Sequence, residues 1–295
     1  MLFINNRMKG PYRIDNKGLR FMKYNFVPYS SINRSKLAIM KTKVTVVLSL
    51  FSTLIFAQSE MVKEGIYRWV DHPVKYTEDR ESRVILAGSS PHFEYLGIHA
   101  STQLKGAQPS TLHANEDIEE LIIVKEGEAK VSFDDESKIL RAGGVVLLLP
   151  QQLHSIENVG DGNLTYYVMR YRSKKPMQIA RGLSNGGSMR LDREDLELVP
   201  NERGGRYPYF DRPTAMCERF ELHSTQLNKK GPSHAPHKHV ETEIILMLSG
   251  ETEITIDDKE YSGTAGDFYF INSGSTHGVR NPTGNLCTYF AFKWR

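Results

Sequence analysis

Cysteine is almost missing from this chain. Two residues, Cys217 and Cys287, in a sequence of 295 exclude a disulfide-dense miniprotein. No C-X-X-C pair is present, nor a glycine-rich phosphate loop, nor the Ser-His-Asp order of a hydrolytic triad, so none of these chemistries has its usual carrier. No apolar run reaches the roughly 20 residues that a membrane-spanning helix needs. A hydrophobic fraction of 39% with 25% charged residues removes the opposite extreme, an unfolded chain. The length suffices for two domains with cores of their own.

Negative charge is scarce at one end only. Residues 1–57 hold ten Lys or Arg and a single acid, Asp15, and so carry +9, whereas residues 58–295 hold 28 basic and 34 acidic side chains and carry −6. The overall +3 therefore describes neither region. An acidic main body without a basic stripe gives no electrostatic footprint for nucleic acid. All ten histidines and both cysteines lie after residue 57, which confines the chemistry to that part. Within the basic region, Met40-Lys-Thr-Lys43, an apolar run at 44–56 and then Ala57-Gln58 form the three parts of a secretory signal peptide. Cleavage is expected after Ala57, giving an exported protein, periplasmic or extracellular, with no stable membrane insertion. Residues 1–39 fit neither a helix nor a strand pattern; an upstream start or an unusually long head explains them.

The remainder contains a repeat. Glu120, Gly127, Glu128, Ala142, Gly143, His154, Asn158 and Thr165 recur 123 residues later as Glu243, Gly250, Glu251, Ala265, Gly266, His277, Asn281 and Thr288. Each copy is a series of short strand-like runs parted by turn signals such as Asp134-Asp135, Asp257-Asp258 and Pro282-Thr-Gly284, which predicts an all-β sandwich or barrel. Boundaries follow: one domain over 58–172, a Gly-, Pro- and Arg-rich connector over 173–212 and a second domain over 213–295.

One constellation carries metal chemistry. In Gly231-PSHAP-His237-Lys-His239-VET-Glu243, the two histidines stand two apart, so a strand turns both toward one side, and Glu243 arrives from the next strand. His277 follows in Gly266-DFYFI-Asn272-Ser-Gly274-ST-His277-GVR-Asn281. Three imidazoles and a carboxylate form a mixed nitrogen and oxygen set for a divalent first-row metal. By strand parity with Glu243, Ile245 and Met247 face inward.

These two stretches resemble the paired motifs of the cupin superfamily, G(X)5HXH(X)3–4E(X)6G and G(X)5PXG(X)2H(X)3N. The first matches throughout; the second departs only at Asn272, where the family usually has proline, a change expected to weaken a turn and spare the ligands. The resemblance covers about residues 65–295 and implies two tandem double-stranded β-helix (jelly-roll) barrels, a bicupin. It implies a metal on His237, His239, Glu243 and His277, with Mn or Fe expected first and Zn, Ni or Cu as alternatives. The first copy resembles an eroded version, in which His113, Asn115, Glu120 and His154 form a second candidate site with an amide in the place of one imidazole; Glu116 is a candidate substitute.

Further residues are weighed on position. Arg219, Met247, Phe270 and Tyr289 are candidate substrate-lining residues in a barrel whose aromatic content suits a small oxygenated organic molecule. His234 is a candidate to sit behind the ligands. His72, His92, His99 and His223 lack partners at ligand spacing and are expected to be structural or surface residues. Cys217 and Cys287 form either a disulfide or two buried thiols. The resemblance implies a metal-dependent enzyme of the dioxygenase, isomerase or lyase kind, acting on aromatic compounds or sugar acids. A non-catalytic small-molecule or sugar binder is the alternative. A ureidoglycine aminohydrolase-like hydrolase ranks lower, since that family replaces one histidine with glutamine. Bicupins imitate a cupin dimer within one chain, and further homo-oligomers remain open.

Overall fold

The computed structural model describes residues 60–295; the expected signal peptide at 40–57 and the segment 1–39 lie outside the described residues. Among the described residues strands dominate, with one short α-helix, Ile179–Ser184. Two seven-stranded antiparallel sheets form the centre, one from each half of the chain. Each is covered on its outer side by a smaller sheet, of three strands in the first half and four in the second. That makes two jelly-roll barrels with their large sheets face to face.

The apolar runs of the sequence follow from this stacking. A strand buried on both faces has no polar side, so Glu119–Glu126, Val145–Leu148, Thr242–Ser249 and Phe268–Ile271 are nearly continuous hydrophobic segments. Alternate residues then serve different cores. In the second half Ile245, Met247, Tyr269, Ile271, Tyr289 and Ala291 fill the barrel, while Ile244, Leu246, Phe268, Phe270, Phe290 and Phe292 enter the core between the barrels. There Trp294 stacks on Phe93 of the other half with ring centroids 5.2 Å apart. The aromatic residues expected to line the second barrel therefore mostly glue it to the first. Phe270, a lining candidate, is among those that face away from the barrel interior.

The turn after the motif glutamate needs glycine in both copies. Gly127 and Gly250 have φ of 85° and 70°, and a Cβ would come within 2.5 Å of the Asn163 carbonyl oxygen and 2.7 Å of that of Leu286. The motif asparagine is a loop clamp. Asn281 donates to the carbonyls of Leu227 and Asn285 and accepts from the backbone of Thr283 and Gly284. Asn158 does the same work in the first barrel.

The expected boundaries are crossed twice. The strand Gly65–Tyr67, expected in the first domain, pairs with Phe268–Ile271 of the second barrel. The connector is shared out: Met189–Leu191 extends the first barrel's sheet, and Val199–Asn201 with Gly204–Arg212 extends the second's. Edge strands need partners; both barrels take them from the connector, and the second takes one more from the far end of the described chain. Asn272 gains meaning here. Its N–H, which proline lacks, donates to the Glu64 carboxylate at 2.8 Å and pins the incoming strand.

Cys217 lies in the core between the barrels and Cys287 inside the second barrel. Both are free, buried thiols, and burial pushes both pKa values up.

Candidate metal centre

Among the described residues two clusters of ligand-capable atoms form, His237 with His239 and His277, and His113 with Glu120 and His154. Atoms within each lie within 4.8 Å of one another. The same backbone device builds both. His237 and His277 exchange N–H to carbonyl hydrogen bonds of 3.0 and 2.8 Å, and His113 and His154 do so at 3.2 and 2.9 Å. A bridge of this kind sets two side chains side by side at the mouth of each barrel.

In the second barrel the imidazoles are oriented for coordination. Nδ1 of His239 meets the Glu241 carbonyl at 3.0 Å and Nδ1 of His277 meets that of Ser275 at 3.0 Å. Protonation at Nδ1 leaves the Nε2 lone pair for a metal. Glu243 Oε2 stands 2.9 Å from His239 Nε2 and 3.0 Å from His277 Nε2. Two ligands each ~2.1 Å from one ion and at right angles are separated by about 3.0 Å, so the spacing fits a shared cation. His277 Nε2 is buried, and its short contact with the Glu243 carboxylate is the position an ion would take between them. Burial, then the charges of His277 and His234, push His237 down to about 4, so it is an unprotonated donor at neutral pH. Burial works to raise the Glu243 carboxyl, but hydrogen bonds from His239 and His277 outweigh it and hold the group well below the usual range, as a carboxylate.

The centre opens on a cavity of about 80 Å³ lined by His223, Thr225, Ser233, Tyr289, Lys293 and three of the four candidate ligands, His237, Glu243 and His277, among others. Water takes up ~30 Å³ a molecule, so the enclosed part suits a ligand of few non-hydrogen atoms. Tyr289 is at its wall, with its hydroxyl 3.2 Å from Ser233 Oγ. Met247 lies deeper in the same barrel and meets the Thr252 hydroxyl. His234 also touches the cavity. Arg219 does not line it: its guanidinium is held by Asp211, Glu221 and Glu241.

Two residues that line this cavity, and a third that holds them, carry no motif in the sequence. His223, expected to be structural, faces the metal ligands; Lys293 lies beside Glu243 on the next strand; and Glu221 lies beside Lys293 on the strand after that. Cross-strand partners share a face, so all three belong to the barrel interior. Glu221 Oε1 is 3.2 Å from His223 Nδ1, and its Oε2 is 3.3 Å from Lys293 Nζ and 2.7 Å from Arg219 Nη2. The His223 contact first, then Lys293, set against burial, bring the Glu221 carboxyl to about 2. A signal existed: Lys293 stands 123 residues after Arg170, so each copy carries a cation at one position.

The first cluster differs at that position. Arg170 Nε donates to Glu120 Oε1 at 2.5 Å, while Glu120 Oε2 is 3.3 Å from His154 Nε2. The strand neighbour of Arg170 on the side where Lys293 has Glu221 is Gly97, which has no side chain to draw the cation away. His99, the counterpart of His223, sits in the field of Arg170 and Glu120; burial, then Arg170, lowers its pKa. Asn115 accepts the Gln151 N–H through its backbone carbonyl. Glu116 is exposed and outside the cluster.

Two jelly rolls, each with a histidine-paired mouth and a strand-borne glutamate, define a double-barrel protein of the cupin class. The Cupin domain family matches residues 102–170 and 224–292, and the chain belongs to the cupin superfamily as a bicupin. Among curated proteins none matches the sequence significantly. Solved structures share the fold at low identity. Protein Ylba from E. coli is 16% identical with a TM-score of 0.61, covering 82% of this chain and 96% of that one. Oxalate decarboxylase from Lactobacillus farciminis, solved as a formate complex, is 14% identical with a TM-score of 0.61 over 79% and 87%. AerE from Microcystis aeruginosa is 14% identical with a TM-score of 0.59 over 79% and 100%.

Proposed function

We propose that this bicupin is an exported metal-dependent enzyme that acts on a small oxygenated organic substrate in its C-terminal barrel, with one divalent ion per chain on His237, His239, Glu243 and His277. The observation that carries the reading is the fit of that ligand set to a single ion at the floor of a small, polar-lined cavity. Nitrogen and carboxylate donors together suit Mn or Fe, with Zn, Ni or Cu less matched to the oxygen share. When bound, the ion supplies Lewis acidity, or redox chemistry, at a coordinated substrate oxygen. The chain orients the ligands through the Nδ1 contacts, and excludes bulk water with Ile245, Val279 and Ala291. Oxalate decarboxylases, enzymes named for a two-carbon substrate, share the fold, and the cavity favours a molecule nearer that size than an aromatic one.

Metal analysis followed by oxygen consumption tests the class. Iron with substrate-dependent oxygen uptake supports the oxygenase branch; manganese or zinc without uptake supports an isomerase or lyase. A metal-loaded protein that binds but never converts small oxygenated molecules defeats the enzymatic reading in favour of a binder. Export rests on the basic head, apolar run and Ala57-Gln58 junction. Mass spectrometry of the secreted protein is expected to find Gln58 at the N-terminus; retention in the cytoplasm with residues 40–57 attached defeats it.

A further inference from the structure

We infer that Lys293 anchors the substrate through a carboxylate, so that the C-terminal site selects short-chain carboxylates over neutral molecules of the same shape. The inference deepens the metal-dependent reading above and rests on it.

Lys293 is the only lysine or arginine among the residues that line the cavity. Register places it next to Glu243 on one side and Glu221 on the other, so its stem runs along the barrel wall beside the ligands. Its side chain is 20% exposed, which puts the ammonium in a mostly closed space where a charge needs a counter-charge. Glu221 supplies only part of one. The same Oε2 that meets Lys293 at 3.3 Å is already held by Arg219 at 2.7 Å, and the other oxygen faces His223. An ammonium has three donors, and this pairing leaves donors for an incoming oxygen.

The charge of the cavity points the same way. The charged side chains that line the cavity besides the imidazoles are Lys293 and Glu243, so a divalent ion bound there with the imidazoles neutral leaves positive charge in excess. An anionic ligand reduces that excess, and a neutral ligand leaves it buried. The cavity volume of about 80 Å³ limits the enclosed part of the ligand to a few non-hydrogen atoms, which suits a carboxylate and its α-carbon. Glu221 acts here as a positioning residue: it fixes Lys293 and His223 on the side of the cavity away from Glu243.

The test uses the metal-loaded full chain and two probes of equal shape, acetate and acetamide, with binding followed by calorimetry. Wild type is expected to prefer acetate by at least tenfold. Lys293→Met is expected to weaken acetate by at least tenfold, leave acetamide unchanged and keep the metal content. Lys293→Gln serves as a second variant if the first fails to fold; the ion itself prefers a carboxylate to an amide, so the part played by Lys293 is read from the variants. Equal affinity of wild type for both probes, absence of millimolar acetate binding, or unchanged acetate binding in a folded Lys293 variant overturns the inference while leaving the metal reading intact. A wild type that takes up no stoichiometric metal overturns both.

Discussion

The two barrels place different residues at the same register positions, and the differences decide what each mouth can hold. Cations stand at Arg170 and Lys293, one beside each motif glutamate. In the C-terminal barrel Glu221 draws Lys293 sideways, and Glu243 keeps its oxygen on two imidazoles. In the N-terminal barrel Gly97 offers nothing, and Arg170 closes on Glu120. In the first mouth the chain's own cation sits on the motif glutamate, and in the second that glutamate faces two imidazoles.

The largest effect that would break this comparison is a metal count. His277→Ala is expected to take the protein from about one bound ion to none by elemental analysis, whereas His154→Ala should leave the count unchanged. Equal losses in both variants would mean that both barrels coordinate. Next in size is a gain. Removing the surrogate cation and restoring the imidazole together, as Arg170→Met with Asn115→His, is expected to raise the count toward two per chain; a count that stays at one would show that the first mouth is disabled by something other than charge.

A subtler probe is Glu221→Gln. Released from its carboxylate, Lys293 is expected to turn toward Glu243 and weaken metal affinity by roughly tenfold, about 1.4 kcal/mol. Adding Lys293→Met should restore much of that loss, because the intruding charge is gone; a double variant no better than the single one sinks the explanation. The smallest effect is in the acid limb of stability. Glu221 sits at about 2 in the folded chain against its ordinary 4.5, so its contribution is complete above about pH 4.5 and is lost as pH falls toward 2. Urea titrations across that window should show a shallower acid slope in Glu221→Gln than in wild type, and identical slopes would remove Glu221 from the account.

Much of this was legible in the sequence. The 123-residue offset carried the two barrels, the turn glycines and the motif asparagines, because each answers a local backbone demand that only certain residues meet. The clustering of the four candidate ligands was readable because their spacing matches strand and turn geometry. Facing was less accessible. Phe270 and Tyr289 look alike as aromatic strand residues, yet one enters the core between barrels and the other the cavity, and only the cross-strand register to Glu243 separates them. His223 and Glu221 belong to no motif; they join the site through pairing with Ala291 and Lys293, contacts that span some 70 positions of sequence. Strand exchange was equally hidden, since Gly65–Tyr67 carries no sign of which sheet it completes.

That exchanged strand has a consequence for how the molecule is made. Gly65–Tyr67 leaves the ribosome long before Phe268–Ile271, the strand it pairs with, so it must wait through synthesis of nearly the whole chain. Non-local pairings of this span are slow to form. The first barrel's large apolar sheet face, from Phe93 through Tyr171, has its cover only once the second barrel is complete. The Glu64 to Asn272 hydrogen bond and the Trp294 to Phe93 stack both need the C-terminal strands, so neither forms before synthesis reaches them, and until then that apolar surface is open to aggregation.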